Sequence, residues 1–362
     1  MRARDQSGED ELIEALPKVE LHVHLEGSVR PGTLLRIARR HGLDLGASDE
    51  AALARWFAYR DFHHFTEVFE QTTAALREPA DLAEITVDLG RAAHAQRVHY
   101  LEVTFTPGMH HRARGIPFDE QMDAVAEAAT RIRRENGVRM RFILDHVRGE
   151  PPAECLRTAE WSVAGRSRGV VALGLGGYEP GRPSSLFGEA IQYARDHGVP
   201  FVPHAGEAVG ADGIRDALAF DPPRIGHGVR AMEDPTLPAL LRERGVLLEL
   251  CPTSNLRTGV VATAAEHPLR RLWNSGVRVC LNSDDPAMFQ TDVAGEYRFA
   301  ARWHRFTAAE LAAMTLDAVD ATLLPASERA DLRCAVTADL DALGVRPAQR
   351  PSARSARHSA TM

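Results

Sequence analysis

Eight short apolar runs recur along this chain of 362 residues, and segments with helical periodicity separate most of them. Several of those helical segments end at glycine, a residue typical of helix C-termini. Eight strands alternating with helices predict an α/β fold of the TIM type, a (β/α)8 barrel. The runs comprise residues 18–24, 99–105, 140–145, 170–175, 199–204, 224–227, 246–251 and 277–282.

The barrel is expected to fill residues 12–343 as a single domain. An aromatic-rich stretch at residues 53–76 follows the first run and predicts a helical insertion near the barrel mouth. The polar segments at residues 1–11 and 344–362 lack hydrophobic periodicity and are expected to be disordered.

Composition narrows the class of partner. A net charge of −7 offers no basic surface for a nucleic-acid backbone, so a small-molecule substrate is expected instead. The chain has no apolar run of about 18 residues and no apolar leader, so we expect a cytoplasmic protein without membrane contact. Its four cysteines are widely spaced, which argues against a disulfide framework and against a cysteine-ligated zinc. Oligomeric state is not encoded in any pattern.

Histidines and a carboxylate end several of the predicted strands. His22 and His24 are two residues apart in the first run, so both imidazoles face the same way. His204 ends the fifth run, and Asp284 follows the eighth. Because TIM-barrel active sites lie at the carboxyl ends of the strands, these four side chains are expected to bind one Zn²⁺ per chain.

Three further polar residues near these strand ends suit hydrolysis. A bound divalent ion lowers the pKa of water from 15.7 toward about 7, and His227 could orient that water and accept its proton. Glu207 could protonate a ring nitrogen or leaving group if burial raises its pKa. Asp285 could hydrogen-bond the substrate. Each residue alone could also be structural, but together they indicate a mononuclear metal hydrolase.

Five linked motifs resemble the adenosine deaminase branch of the metal-dependent amidohydrolase superfamily, over about residues 16–324: PKVELHVHLEG, HAGE, RIGHG, CPTSN and LNSDDP. The resemblance implies a hydrolytic deaminase that removes the 6-amino group of a purine. It implies that Glu207 protonates purine N1, that His227 contacts the attacking water and that Asp285 contacts N7. It also aligns Gly177 with a family glycine whose amide meets N3.

The motifs mix features of several substrate branches. Family members that act on adenosine read HLDG, with the Asp on the ribose 5′-hydroxyl, whereas this chain has Glu26. Adenine deaminases read RIDHG and CPLSN, from which residues 224–228 and 251–255 depart. Such hybrids resemble the branch that deaminates 6-aminodeoxyfutalosine, a 5′-extended adenosine analogue of menaquinone biosynthesis. That substrate is favoured, with adenosine and then adenine as alternatives.

An extended substrate would need additional contacts. Glu26 is expected to bind ribose hydroxyls, and Phe62 and Phe65 to form an apolar wall for the aryl end. A cation for the substrate carboxylate could come from one of three loop arginines, Arg112, Arg114 or Arg182.

Two readings from other classes remain. One is a catalytically silent relative that kept the barrel, although no ligand or acid/base position is missing. The other is a two-metal hydrolase on the same scaffold, which would usually need a bridging lysine. The chain's only lysine, Lys18, lies at the start of the first run.

Overall fold

The computed structural model describes residues 2–47, 49–57 and 62–351, and within these ranges the side chains of residues 2–7, 62, 63 and 66 lie outside the description. Eight parallel strands form one sheet in the order of the sequence. Each predicted run overlaps one of them. The strands are β1 (Lys18–His24), β2 (Val98–Phe105), β3 (Arg139–Val147), β4 (Val170–Gly176), β5 (Phe201–Ala205), β6 (Arg224–His227), β7 (Leu247–Leu250) and β8 (Arg278–Leu281).

Backbone hydrogen bonds close the sheet into a barrel. The His24 amide donates to the Asp284 carbonyl at 2.8 Å, and the Asp284 amide donates to the His22 carbonyl at 3.1 Å. These bonds join the end of β1 to the segment that follows β8. The predicted (β/α)8 barrel is therefore confirmed.

Helices surround the barrel, and the described residues contain seventeen α-helices. α2, α3 and α4 lie between β1 and β2, where the helical insertion was predicted. The helices are α1 (Arg2–Ala15), α2 (Pro31–Arg40), α3 (Glu50–Phe57), α4 (Phe62–Ala75), α5 (Pro79–Ala95), α6 (Pro107–Arg114), α7 (Phe118–Asn136), α8 (Pro152–Ala164), α9 (Gly188–Asp196), α10 (Ala211–Leu218), α11 (Leu237–Arg244), α12 (Pro252–Arg257), α13 (Leu269–Asn274), α14 (Pro286–Phe289), α15 (Val293–His304), α16 (Ala308–Ala321) and α17 (Ala326–Ala342).

Helix α1 begins inside the segment for which the sequence predicts disorder. Its last turn is anchored, because Ile13 is buried and the ammonium of Lys18 lies beneath it. That ammonium donates to the carbonyls of Glu14 and Leu16, both at 2.9 Å, and to that of Gln96 at 3.3 Å. A buried cation at the C-terminal end of a helix satisfies carbonyls that the helix leaves without partners.

At the other end of the chain, residues 344–351 continue beyond α17 without helix or strand. The amide of Ala348 donates to the carbonyl of Ala309 at 2.9 Å, and Arg350 pairs with Asp317 at 3.2 Å. These contacts hold the segment against α16. Residues 352–362 of the predicted disordered terminus lie outside the described residues.

Strand β1 shows the alternation that was predicted for it. Val19, Leu21 and Val23 are fully buried on one face, in the main hydrophobic core. His22 and His24 project from the other face toward the barrel mouth. None of the described helices combines the length and the apolar character needed to cross a bilayer.

Candidate active site

Five side chains converge at the carboxyl ends of β1, β5, β6 and β8. His22, His204, His227 and Asp284 each offer an atom, and these atoms lie within 4.8 Å of one another. His24 joins them, because its Nε2 lies 3.1 Å from Nε2 of His204 and 3.3 Å from Oδ1 of Asp284. The structure thus brings the four predicted metal ligands together and places His227 beside them.

The donor atoms are arranged as a metal site requires. Nδ1 of His22 lies 3.0 Å from Oε2 of Glu249, while its buried Nε2 has no hydrogen-bond partner among the described residues. A carboxylate on one ring nitrogen orients an imidazole so that the lone pair of the other nitrogen faces the ligand cluster. Together with the close approach of His24 to His204, this fits a divalent cation bound by nitrogen and oxygen.

Burial keeps two of the three predicted imidazole ligands in the protonation state that binds a metal. Burial lowers the pKa of His24 to about 4, and burial together with the neighbouring imidazoles lowers the pKa of His204 well below its ordinary value. Both rings are therefore neutral near pH 7, which is the form that donates a lone pair to a metal. For His22, burial lowers the pKa, but the neighbouring carboxylates of Asp284 and Glu249 raise it to about 10, so a metal bound to this ring would have to displace its proton.

Two of the converging residues have an unusual backbone conformation. His227 has φ 61° and Asp284 has φ 64°, both in the left-handed region that residues other than glycine rarely adopt. His227 is the last residue of β6 and Asp284 follows β8 by three residues, so both turns lie at the barrel mouth. Such strain persists only where the surrounding structure enforces it, and it is frequent at functional sites.

Glu207 lies on the loop after β5, with Oε2 at 3.7 Å from Nε2 of His227. Burial, followed by the charge of Asp284, raises the pKa of Glu207 to about 8. The group therefore keeps its proton at neutral pH and can act as an acid. The sequence-based hypothesis required burial to raise the pKa of Glu207, and the structure places Glu207 where this occurs.

The loop that carries Glu207 is held by a residue that the sequence reasoning missed. The buried carboxylate of Glu179 accepts the backbone N–H groups of residues 206, 207, 208 and 209, at distances of 2.8, 3.2, 3.1 and 2.9 Å. Glu179 stands two residues beyond Gly177, which has φ 86°. The only signal for Glu179 in the sequence was its position just after a glycine-rich strand end.

Asp285 is buried, and its Oδ1 has no hydrogen-bond partner among the described residues. Burial and the charge of Asp284 raise the pKa of Asp285 well above its ordinary value. Gly27 lies directly against this carboxyl group, because a Cβ at Gly27 would stand 1.7 Å from Oδ1. Only glycine fits there, so the close approach defines one wall of the site.

Glu26 is fully buried at the end of β1. Its Oε1 accepts the Thr106 amide at 3.0 Å and lies 3.1 Å from Nε2 of His110, while Oε2 has no partner among the described residues. Neither His110 nor Thr106 was singled out from the sequence. The carboxyl group is thus anchored on one oxygen and leaves the other available.

The predicted distal contacts are distributed unevenly. Phe65 stacks on Phe289 of α14 with ring centroids 5.3 Å apart, just beyond Asp285. The side chain of Phe62 lies outside the described residues. Arg112 pairs with Glu150 at 2.9 Å, and Arg114 donates to the carbonyl of Ala74 at 2.8 Å.

The third arginine is placed differently. Arg182 lies on the loop that carries Gly177 and Glu179, and its carbonyl accepts a hydrogen bond from Arg148 at 2.5 Å. Within the described part of the chain no ion pair engages its guanidinium.

Below the cluster, Arg224 is fully buried inside the barrel. Its Nε donates to Oε1 of Glu249 at 2.5 Å, and its Nη2 is hydrogen-bonded to Glu102. Tyr100 donates its hydroxyl to the same Glu102 at 2.8 Å. Since Glu249 also contacts His22, one buried network connects the barrel interior to the ligand cluster.

Comparison with known proteins agrees with this geometry. A profile of the family described as adenosine deaminase matches residues 17–339. An aminodeoxyfutalosine deaminase from Acidothermus cellulolyticus is 41% identical over 298 residues, which cover 80% of this chain and 83% of that protein. The crystal structure of an adenine deaminase from Arthrobacter aurescens superposes with a TM-score of 0.85 at 29% identity, covering 90% of this chain and 99% of that chain. An amidohydrolase from Burkholderia ambifaria with bound Zn gives 0.83 at 27% identity, covering 92% and 93%.

The buried network leads to a prediction about stability. Replacing Arg224 with Met would leave Glu102 and Glu249 as buried carboxylates without their cation, which typically costs about 3–5 kcal/mol. We expect a loss of that size in the free energy of unfolding, measured by urea denaturation of the metal-free protein. Arg333→Met is the matched control, because Arg333 forms an exposed pair with Asp320 at 2.6 Å and should cost less than about 1 kcal/mol. Equal losses in the two variants would contradict the role of Arg224.

Proposed function

The chain belongs to the adenosine deaminase family of metal-dependent amidohydrolases, and we propose that its substrate is 6-aminodeoxyfutalosine and its metal zinc. As a member of this family it is a hydrolytic deaminase that acts on a purine amine. The observation that supports the substrate proposal is the 41% sequence identity with the Acidothermus aminodeoxyfutalosine deaminase over 298 residues. Adenosine is the second candidate, because the matching family profile bears its name.

We assign the zinc to His22, His24, His204 and Asp284. His24 is preferred to His227 as a ligand because its Nε2 is 3.3 Å from Asp284, whereas Nε2 of His227 is 3.8 Å from the same carboxylate. When bound, the ion lowers the pKa of a coordinated water and so supplies hydroxide near neutral pH. The Burkholderia relative with bound Zn supports the choice of metal.

The remaining residues of the site act on the purine. Glu207 donates its proton to N1, which makes C6 more electrophilic toward the oxygen of water. Asp285 contacts N7, and the amide of Gly177 contacts N3, so the ring is held at both ends. His227 contacts the attacking oxygen. Once the oxygen has added to C6, its remaining proton passes to the exocyclic amino nitrogen, the bond between C6 and that nitrogen breaks, and ammonia leaves as the C6 carbonyl forms. The proton that water lost on becoming hydroxide restores the one that Glu207 donated.

Contacts beyond the purine determine which nucleoside is accepted. The unpartnered oxygen of Glu26 is available for a ribose hydroxyl, since Thr106 and His110 already hold the other oxygen. Phe65 would form part of the apolar wall for the aryl group, and a contact from Phe62 stays a prediction from the sequence. Arg182 is the best placed of the three arginines for a carboxylate, because it shares a loop with Gly177.

The metal assignment predicts different behaviour for two neighbouring histidines. His204→Ala should lose most of its zinc, because three ligands hold the ion far less tightly than four. His227→Ala should retain about one equivalent per chain while losing activity. Elemental analysis of the purified variants measures both. Full zinc occupancy in His204→Ala, or a zinc-free His227→Ala, would show that the ligand set is wrong.

The acid role of Glu207 predicts a loss of turnover without a loss of metal. Glutamine keeps the shape of the side chain but has no acidic proton, so Glu207→Gln should lower kcat about 10²-fold or more. Zinc content and thermal stability should stay at wild-type values. Glu189→Gln is the matched control, because Glu189 is exposed on α9. A Glu207→Gln enzyme within a few-fold of wild type would remove the proposed role.

The substrate proposal is tested by ammonia release from 6-aminodeoxyfutalosine, adenosine and adenine. We expect kcat/KM for 6-aminodeoxyfutalosine to exceed that for adenosine at least about tenfold, because a charge-assisted hydrogen bond to its carboxylate contributes about 1.5–3 kcal/mol. Arg182→Met should remove most of this preference and leave adenosine unaffected, whereas Arg112→Met should change neither. Equal or better kcat/KM on adenosine would reject the extended substrate.

A further inference from the structure

A buried relay of hydrogen bonds runs behind His227. It begins at the amide of Leu269, which donates to Nδ1 of His267 at 3.2 Å in the first turn of α13. Nε2 of His267 lies 3.2 Å from Oδ1 of Asn255, and Nδ2 of Asn255 lies 3.3 Å from Nδ1 of His227. The side chains of His267, Asn255 and His227 are all buried. The proposed function gives a role to His227 but none to Asn255 or His267.

The relay has only one consistent direction. A backbone N–H is always a donor, so Nδ1 of His267 accepts and the proton of that neutral ring lies on Nε2. Nε2 then donates to the amide oxygen of Asn255, and the amide NH₂ faces Nδ1 of His227. Rotating the amide by half a turn would set its NH₂ against the N–H of His267, so the arrangement cannot be reversed without losing a bond.

We propose that His267 and Asn255 hold His227 as the tautomer with its proton on Nε2, so that His227 donates a hydrogen bond to the attacking oxygen. A ring protonated on Nδ1, whether neutral or cationic, would place N–H against the amide NH₂ of Asn255. No proton is transferred at His227 in this role. The sequence-based expectation was the reverse, with His227 accepting the proton of water.

The surroundings of Nε2, on the opposite side of the His227 ring, also suit a hydrogen-bond donor. Nε2 of His227 faces Oε2 of Glu207 at 3.7 Å and Oδ2 of Asp284 at 3.8 Å. Both distances exceed a hydrogen bond, so neither carboxyl group accepts directly from Nε2. A water molecule or hydroxide that contacts Nε2 would be the acceptor of its hydrogen bond. Asn255 and His267 are therefore positioning residues that act through His227.

The role of the donated bond rests on the proposed function, but the tautomer can be read without turnover. Zinc-loaded protein labelled with nitrogen-15 in its histidines should show a protonated Nε2 and an unprotonated, hydrogen-bonded Nδ1 for His227. A His227→Asn sample identifies the signals by their absence. A proton on Nδ1 of His227 in the wild type would overturn the relay, whatever the enzyme's activity.

Asn255→Asp tests the functional consequence. A carboxylate can only accept, so it should draw the His227 proton to Nδ1 and leave Nε2 bare. Since a wrong histidine tautomer costs about 10⁴-fold in a serine-protease triad, we expect kcat to fall about 10²-fold or more. KM and zinc content should change little. Asn274→Asp is the matched control, because Asn274 is exposed at the end of α13.

The outcomes separate the two hypotheses. A variant with a bare Nε2 that turns over at the wild-type rate would overturn the donor role. If the His227 ring of the variant carries both protons, Nε2–H is retained. In that case kcat should stay within about tenfold of wild type. A larger loss would also count against the proposal. Absence of any deaminase activity in the wild type would instead remove the proposed function and the donor role with it.

Discussion

The guanidinium of Arg224 is the interaction on which the centre of this barrel depends. Two buried carboxylates, Glu102 on β2 and Glu249 on β7, are hydrogen-bonded to it. Without that cation, both carboxylates would be buried next to no compensating guanidinium, which is strongly destabilising. Glu249 also contacts Nδ1 of His22 and leaves Nε2 of that ring toward the ligand cluster. Arg224 therefore supports the orientation of His22 through Glu249.

Above this network the site has two kinds of support. The metal-binding imidazoles project from strands, whose positions are set by the barrel. Glu207 projects from a loop, and that loop is rigid because one carboxylate, Glu179, collects four consecutive backbone donors. A loop held in this way can present an acid with nearly the precision of a strand.

The sequence was sufficient for those features that depend on local periodicity. The alternation of residues in β1 predicted that His22 and His24 share a face, and the strand ends located His204 and Asp284. It was insufficient for Glu249, Asn255 and His267, because their roles depend on contacts between distant segments. Glu249 is 227 residues from His22 in the chain, and only the folded barrel shows that they meet.

Helix α1 illustrates the same limit at the start of the chain. Its polar sequence predicts disorder, and the hydrogen bonds from Lys18 that hold its last turn are visible only in the structure. The burial of this side chain has a practical consequence: it is the only lysine in the sequence, and its amine is fully inaccessible in the folded protein. Acylating reagents that modify lysine would therefore react at this position only after a local opening exposes the amine. The chain carries its own chemical reporter of local opening, at the end of the barrel opposite the substrate.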